Sequence, residues 1–231
     1  MLRPLGFRVG GPQGVRSRIA DRAPENAIAL RGPIGLMQTA FEATLSSECE
    51  QLPMSSFQAS PAGPTGSVEQ LGEGQIGQVV ALLRSASERA VGLGSMGWSP
   101  RQVGRQAMAA CARREELFGW VDGDQVLGCV VIQARDVIHW PDDAVGEALY
   151  LHKLAVRPAA CGRGIGTALI AFTCALAAER GRPMVRLDTV PGTPLVAYYE
   201  RHGFRLDPGG PADYAGRWLV RMERPVASTT L

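Results

Sequence analysis

From residue 75 onward the apolar positions keep a regular beat. Ile76, Val79, Val80, Leu83 and Ala90 recur at the spacing of one helix face, and Gly92 ends the run. After the glycine-rich connector "GLGSMGW", Ser99 and Pro100 supply an N-cap and a first-turn proline for a second helix through about Arg113. The segment "LFGWVDGDQVLGCVVIQAR" then takes on strand character, with Asp122-Gly123 as the turn of a hairpin. A polar loop, "RDVIHWPDDAVGE", leads into "ALYLHKLAV", which is apolar on both faces and is therefore expected at the centre of a sheet. Leu169, Phe172 and Leu176 mark a third helix, closed by Gly181 and Pro183. "MVRLDT" reads as a strand, "TPLVAYYERHGF" as a short helix ending at Gly203, and "RWLVRMER" as a last strand. The order predicts a mixed α/β domain over residues 67–224, followed by a short tail over 225–231.

Residues 1–66 read differently. Proline and glycine recur in "GGPQG", "RGPIG" and "SPAGPTG", and no long apolar period forms beyond a short candidate helix around 37–50. This pattern is expected of a poorly ordered arm, or of an upstream extension with Met37 or Met54 as the true start.

Composition narrows the classes. The chain has 231 residues, 45% hydrophobic and 20% charged, which is ordinary for a soluble globular protein. It has no apolar run of membrane-spanning length and no secretory signal pattern, so a cytoplasmic protein without a membrane partner is expected. A net charge of +2 argues against a nucleic-acid partner. Lys153 is the only lysine among 24 basic residues, so arginine clusters here say little about phosphate binding. The five cysteines are odd in number and lack CxxC spacing, which argues against a disulfide framework and leaves no expected metal site.

The chemistry concentrates in "VRPAACGRGIGTALI". Gly162, Gly164 and Gly166 alternate between an expected strand and an expected helix, an arrangement that can cradle a phosphate on free helix N–H groups. A GxxxxGK[ST] phosphate loop is excluded because the stretch has no lysine. A dinucleotide fingerprint would need its third glycine one place later and more chain than remains, although Asp188 would suit the ribose contact. A purely structural tight turn is the bland alternative.

Together with "AYYERHGF" downstream, "LAVRPAACGRGIGTAL" resembles the acetyl-CoA loop of the GNAT superfamily of N-acetyltransferases, over about residues 68–223. The resemblance implies a mostly antiparallel mixed sheet with helices on both faces and a splayed central strand. Acetyl-CoA would be the co-substrate, with no metal, and its pantetheine would run beside Leu154, Ala155 and Val156. Its diphosphate would lie on the N–H groups of Gly162, Arg163, Gly164, Ile165, Gly166 and Thr167. A side chain at 164 or 166 would then occupy the phosphate's space. Two departures from the family stand out: Cys161 replaces a usual Gln or Arg, and Gly192 replaces a frequent asparagine. Arg157 or Arg163 would supply the missing cation. Cys161 is either a spacer or a thiol activated by the helix end.

The resemblance also implies direct attack by an amine, with the backbone N–H near Leu154 polarising the thioester and Tyr199 as general acid toward the sulfur. Tyr198 is the aromatic packing residue. Glu147 ranks first as general base, ahead of His152 and Asp188. Trp98, His139, Trp140 and His152 would wall the acceptor pocket, with Asp142, Asp143 and Glu147 attracting a cationic amine. The glycines at 92, 94 and 97 would suit a mobile lid. The expected reaction acetylates a primary amine of a small molecule or amino acid by a monomer or homodimer. A protein or peptide amine, or a non-catalytic CoA-binding module, is the alternative.

Overall fold

The computed structural model describes residues 65–92, 95–214 and 216–226. The candidate helix at 37–50, nearly all of the arm, Gly94 and most of the tail lie outside them. The helices are α1 (Ile76–Gly92), α2 (Pro100–Val103), α3 (Arg105–Arg113), α4 (Ile165–Glu179) and α5 (Pro194–Arg201). The strands are β1 (Ser67–Gln70), β2 (Leu117–Asp122), β3 (Gln125–Gln133), β4 (Ala148–Val156), β5 (Met184–Thr189), β6 (Arg205–Leu206), β7 (Ala212–Tyr214) and β8 (Arg217–Pro225).

All eight strands join one mixed sheet in the order β1-β2-β3-β4-β5-β8-β6, with β7 paired to β8. Every pairing is antiparallel except β4 with β5. The all-apolar strand is central, as its pattern required. Side chains of β3 divide between the two faces, with a bulge at Leu127 breaking strict alternation. Leu127, Val130 and Ile132 pack with Ile165, Leu169 and Ile170 of α4, while Val126, Cys129 and Val131 pack with Val79 and Leu83 of α1 and Met108 of α3. Helices therefore cover both faces of the sheet.

Three local features differ from the sequence reading. The helix expected over 99–113 is cut in two. Ser99 caps α2 as expected, with its hydroxyl accepting from Gln102 N at 3.3 Å, but Gly104 is extended at ψ 165°. The hairpin loop is Gly123-Asp124, one residue later than expected, with Gly123 at φ +57°. Strands β1, β6 and β7 are two to four residues long and carry no periodicity of their own.

Candidate active site

The central cleft arises where two parallel strands part. β4 and β5 pair only through Ala148–Tyr150 against Met184–Arg186. Beyond that point β5 continues against β8 while β4 continues against β3. The β5-facing backbone of β4 from Leu151 onward has no strand partner. A bulge adds to the divergence: Lys153 and Leu154 together oppose Val130, and Lys153 takes φ +52°. A non-glycine residue in that region is uncommon and marks a site under constraint.

The gap opens into a cleft of about 520 Å³, with a second lobe of about 390 Å³ over the glycine loop. Leu154, Ala155 and Val156 line both lobes, as do Cys161 and Tyr199. Gly162, Gly164, Ile165, Gly166 and Thr167 line the second. Gly164 is the N-cap of α4 at φ +79°, and no side chain caps the helix. The first-turn N–H groups at Ile165, Gly166 and Thr167 are thus left facing the loop, together with the positive end of the helix dipole.

Each glycine answers a distinct physical demand. A Cβ at Gly162 or Gly164 would meet no protein atom, so their positive φ excludes other residues there. A Cβ at Gly166 would lie 2.5 Å from the Tyr198 hydroxyl, so this glycine admits the α5 side chain rather than only an outside ligand. The loop is also strapped to α5. His202 Nδ1 lies 2.8 Å from Tyr198 O and Nε2 lies 3.0 Å from Thr167 Oγ1. Because a carbonyl can only accept, Nδ1 carries the hydrogen, and Nε2 of a neutral ring accepts from the threonine hydroxyl.

Neither arginine expected to assist the loop faces it. Arg157 donates through Nε to Val126 O at 2.6 Å, and Arg163 points toward Asp122, 3.8 Å away. The Cys161 thiol is exposed and donates to Arg157 O at 3.5 Å.

Tyr199 is buried against Tyr198 and Phe204 in edge-on ring contacts. Burial above all, with the Tyr198 and Asp188 charges adding to it, pushes its hydroxyl well above the ordinary phenol range. The proton is therefore held at any physiological pH.

On the opposite wall, side chains from three segments converge. His139 Nδ1 lies 2.7 Å from Asp136 Oδ2 and 3.6 Å from Asp188 Oδ1. His152 presents Nε2 to Asp136 at 3.5 Å and Nδ1 to Asp188 at 3.6 Å. His139, His152 and Asp188 line the cleft, and Asp136 stands behind them, also accepting from the backbone N–H groups of Ile138 and His139. Burial alone would lower the His139 pKa, but the Asp136 hydrogen bond and the two carboxylate charges raise it overall. Burial would raise Asp188 and Asp136, yet their histidine partners hold both below the usual carboxylate range. Asp136, His152 and Asp188 each offer a ligand-type atom within 4.8 Å of the others. The imidazole turns a different nitrogen to each carboxylate.

The acidic wall expected from the loop before β4 lies elsewhere. Glu147 is bound to Arg186 at 3.1 Å and accepts from Ala144 N, and these contacts hold its carboxyl below the ordinary range. Asp143 accepts from Arg186 and from the Tyr150 hydroxyl. Asp142 is exposed outside the cleft. Trp140 is buried between the Arg186 and Arg221 guanidinium groups, each 4.5 Å from its ring centre. Of the residues expected to wall the acceptor pocket, Trp98, His139 and His152 line the cleft and Trp140 does not. The end of the connector next to Trp98 is held to α1: the Ser87 hydroxyl donates to Trp98 O at 3.0 Å, and Gly97 has no room for a Cβ beside Ser87.

A split parallel pair, an uncapped helix end over a glycine loop and a buried tyrosine on the same cleft define a transferase of the acetyltransferase class. Residues 79–204 match the family model of the Acetyltransferase (GNAT) family, and the chain belongs to that family. No curated protein matches it. Among solved structures, Ard1 from Thermoplasma volcanium superposes with a TM-score of 0.56 at 16% identity, covering 71% of this chain and 100% of that one. The PaiA N-acetyltransferase from Thermoplasma acidophilum, in complex with coenzyme A, gives 0.55 at 13% identity over 70% and 99%. YncA from Salmonella typhimurium, solved with acetyl-CoA, gives 0.55 at 14% identity over 73% and 98%. The sheet order and its mostly antiparallel character agree with the fold expected from the sequence.

Proposed function

We propose that the protein transfers the acetyl group of acetyl-CoA directly to a primary amine, with no acyl-enzyme. The observation that carries this reading is the shared cleft: the open edge of β4, the uncapped start of α4 and the Tyr199 side chain all border it. Two of the structural neighbours hold coenzyme A or acetyl-CoA, which supports the same co-substrate here.

In this reading the N–H groups of Gly162 to Thr167 receive the diphosphate, and backbone groups of Leu154, Ala155 and Val156 hold the pantetheine. The open-edge N–H near Leu154 polarises the thioester oxygen. The co-substrate supplies an acetyl thioester. His152 takes one proton of the incoming ammonium at Nδ1, with Asp188 holding that ammonium and the Asp136 carboxylate lying 3.5 Å from Nε2. The new carbon–nitrogen bond forms as the carbon–sulfur bond breaks; Tyr199 gives its proton to the departing thiolate and is reprotonated by the second proton leaving the new amide nitrogen. Thiol release should therefore require both an amine and Tyr199. A Tyr199→Phe variant is expected to lose at least tenfold in kcat while keeping its affinity for CoA. Unchanged thiol release in that variant removes the proton-donor role.

A further inference from the structure

The charges on the acceptor lobe run opposite to those expected of a site for a purely cationic amine. Asp188 is the only carboxylate lining it among the described residues, whereas Arg89, Lys153 and Arg217 all do so. None of these three cations forms an ion pair among the described residues. Arg217 lies near the His139 end of the acid–histidine cluster, on whose ring it acts electrostatically. It sits opposite Tyr214 in the β7–β8 register, and the Tyr214 ring lies 5.4 Å from that of His139.

The coenzyme's own phosphates do not account for these cations. The glycine loop opens α4, whose core contacts on β5 and β8 are Val185, Leu187 and Met222. Asp188 on β5 and Arg217 on β8 fall on the opposite parity and so on the opposite face of the sheet. Arg89 belongs to α1, which packs on that opposite face, and Lys153 acts electrostatically on Cys111 and Cys129, both within the core under α1 and α3.

We propose that the acceptor carries an anionic group, a carboxylate or a phosphate, close to its amine: the amine faces Asp188 and His152, and Arg217, flanked by Arg89 and Lys153, takes the anion. The inference rests on the acetyl-transfer reading and narrows its substrate class. Arginine suits the task because its planar donors match carboxylate and phosphate oxygens in pairs.

The test is a thiol-release assay on the full chain with matched amines. Leucine is compared with isopentylamine for the carboxylate arm, O-phosphoethanolamine with ethanolamine for the phosphate arm, and spermidine serves as the polycation. The expected result is a kcat/KM at least tenfold higher for the anionic member of one pair, which also says which anion is read. Arg217→Gln should erase most of that preference by raising the acceptor KM, while the KM for acetyl-CoA stays within about twofold. Equal use of both members, preference for spermidine or for the amines lacking an anion, turnover of neither anionic amine, or a shift confined to the acetyl-CoA KM overturns the proposal. A protein that binds CoA and acetylates only amines lacking an anionic group contradicts this inference alone. Failure to bind CoA contradicts the reading beneath it.

Discussion

Gly164 shows how much a single backbone conformation controls here. At φ +79° it turns the chain from the β4 edge into α4 and leaves the first helical N–H groups uncovered. An alanine has room for its Cβ but pays the left-handed conformation, about 1–2 kcal/mol for a non-glycine residue. Gly164→Ala is expected to lower stability by about that amount in urea denaturation and to weaken CoA binding in calorimetry. Tyr199 makes the complementary case. Its fixed proton and buried ring suit an acid and not a base, so Tyr199→Phe should lower kcat by at least tenfold with little change in folding stability. Glu147 shows where a residue's position in sequence misleads. It precedes the central strand as expected, but its partner Arg186 lies on β5, 39 residues away in the chain, and only the fold joins them.

At the scale of elements, two couplings decide whether the cleft keeps its shape. The first is the His202 strap between the start of α4 and the end of α5. His202→Ala removes two hydrogen bonds on a half-buried side chain. It should cost about 1–2 kcal/mol and raise the KM for acetyl-CoA, as read by denaturation and steady-state kinetics. The second is the Asp136–His139 pair in the loop between β3 and β4. Its aspartate pKa is lowered and its histidine pKa raised on folding. The aspartate's share of stability is therefore present above the ordinary carboxylate range and lost as pH falls through the lowered value. The histidine's share is complete below about pH 6.5 and lost as pH rises through the raised value. Wild type should exceed Asp136→Asn most at about pH 5–6, and the gap should narrow by about pH 9. A gap that keeps growing above pH 7 would contradict the pairing. The main helices and strands were legible because each carries a long apolar period or a clear stop signal, such as Ser99-Pro100 or Gly203. The cut at Gly104 was not, since an interior glycine marks a break only when backbone closes on it: a Cβ there would meet Pro100 O at 2.7 Å. The acid–histidine cluster was only half legible, since Asp136 from the loop, His152 from β4 and Asp188 from β5 share no spacing pattern.

For the whole molecule, the two faces of the sheet divide the work. The α4 face carries the glycine loop, and the α1 face carries the acids, histidines and cations of the acceptor lobe. The parting of β4 from β5 beyond Tyr150 and Arg186 lies between them. No helix of the described residues is long and apolar enough to cross a membrane. In the proposed reading, main-chain amides of the glycine loop grip a diphosphate. Calorimetric titration of the full chain with coenzyme A tests this most directly, with Gly164→Val as the control. The expected result is saturable binding at one site per chain, weakened at least tenfold in the control while its circular dichroism stays that of a folded protein. No heat of binding to the folded wild type, or equal affinity in the two proteins, would contradict the account.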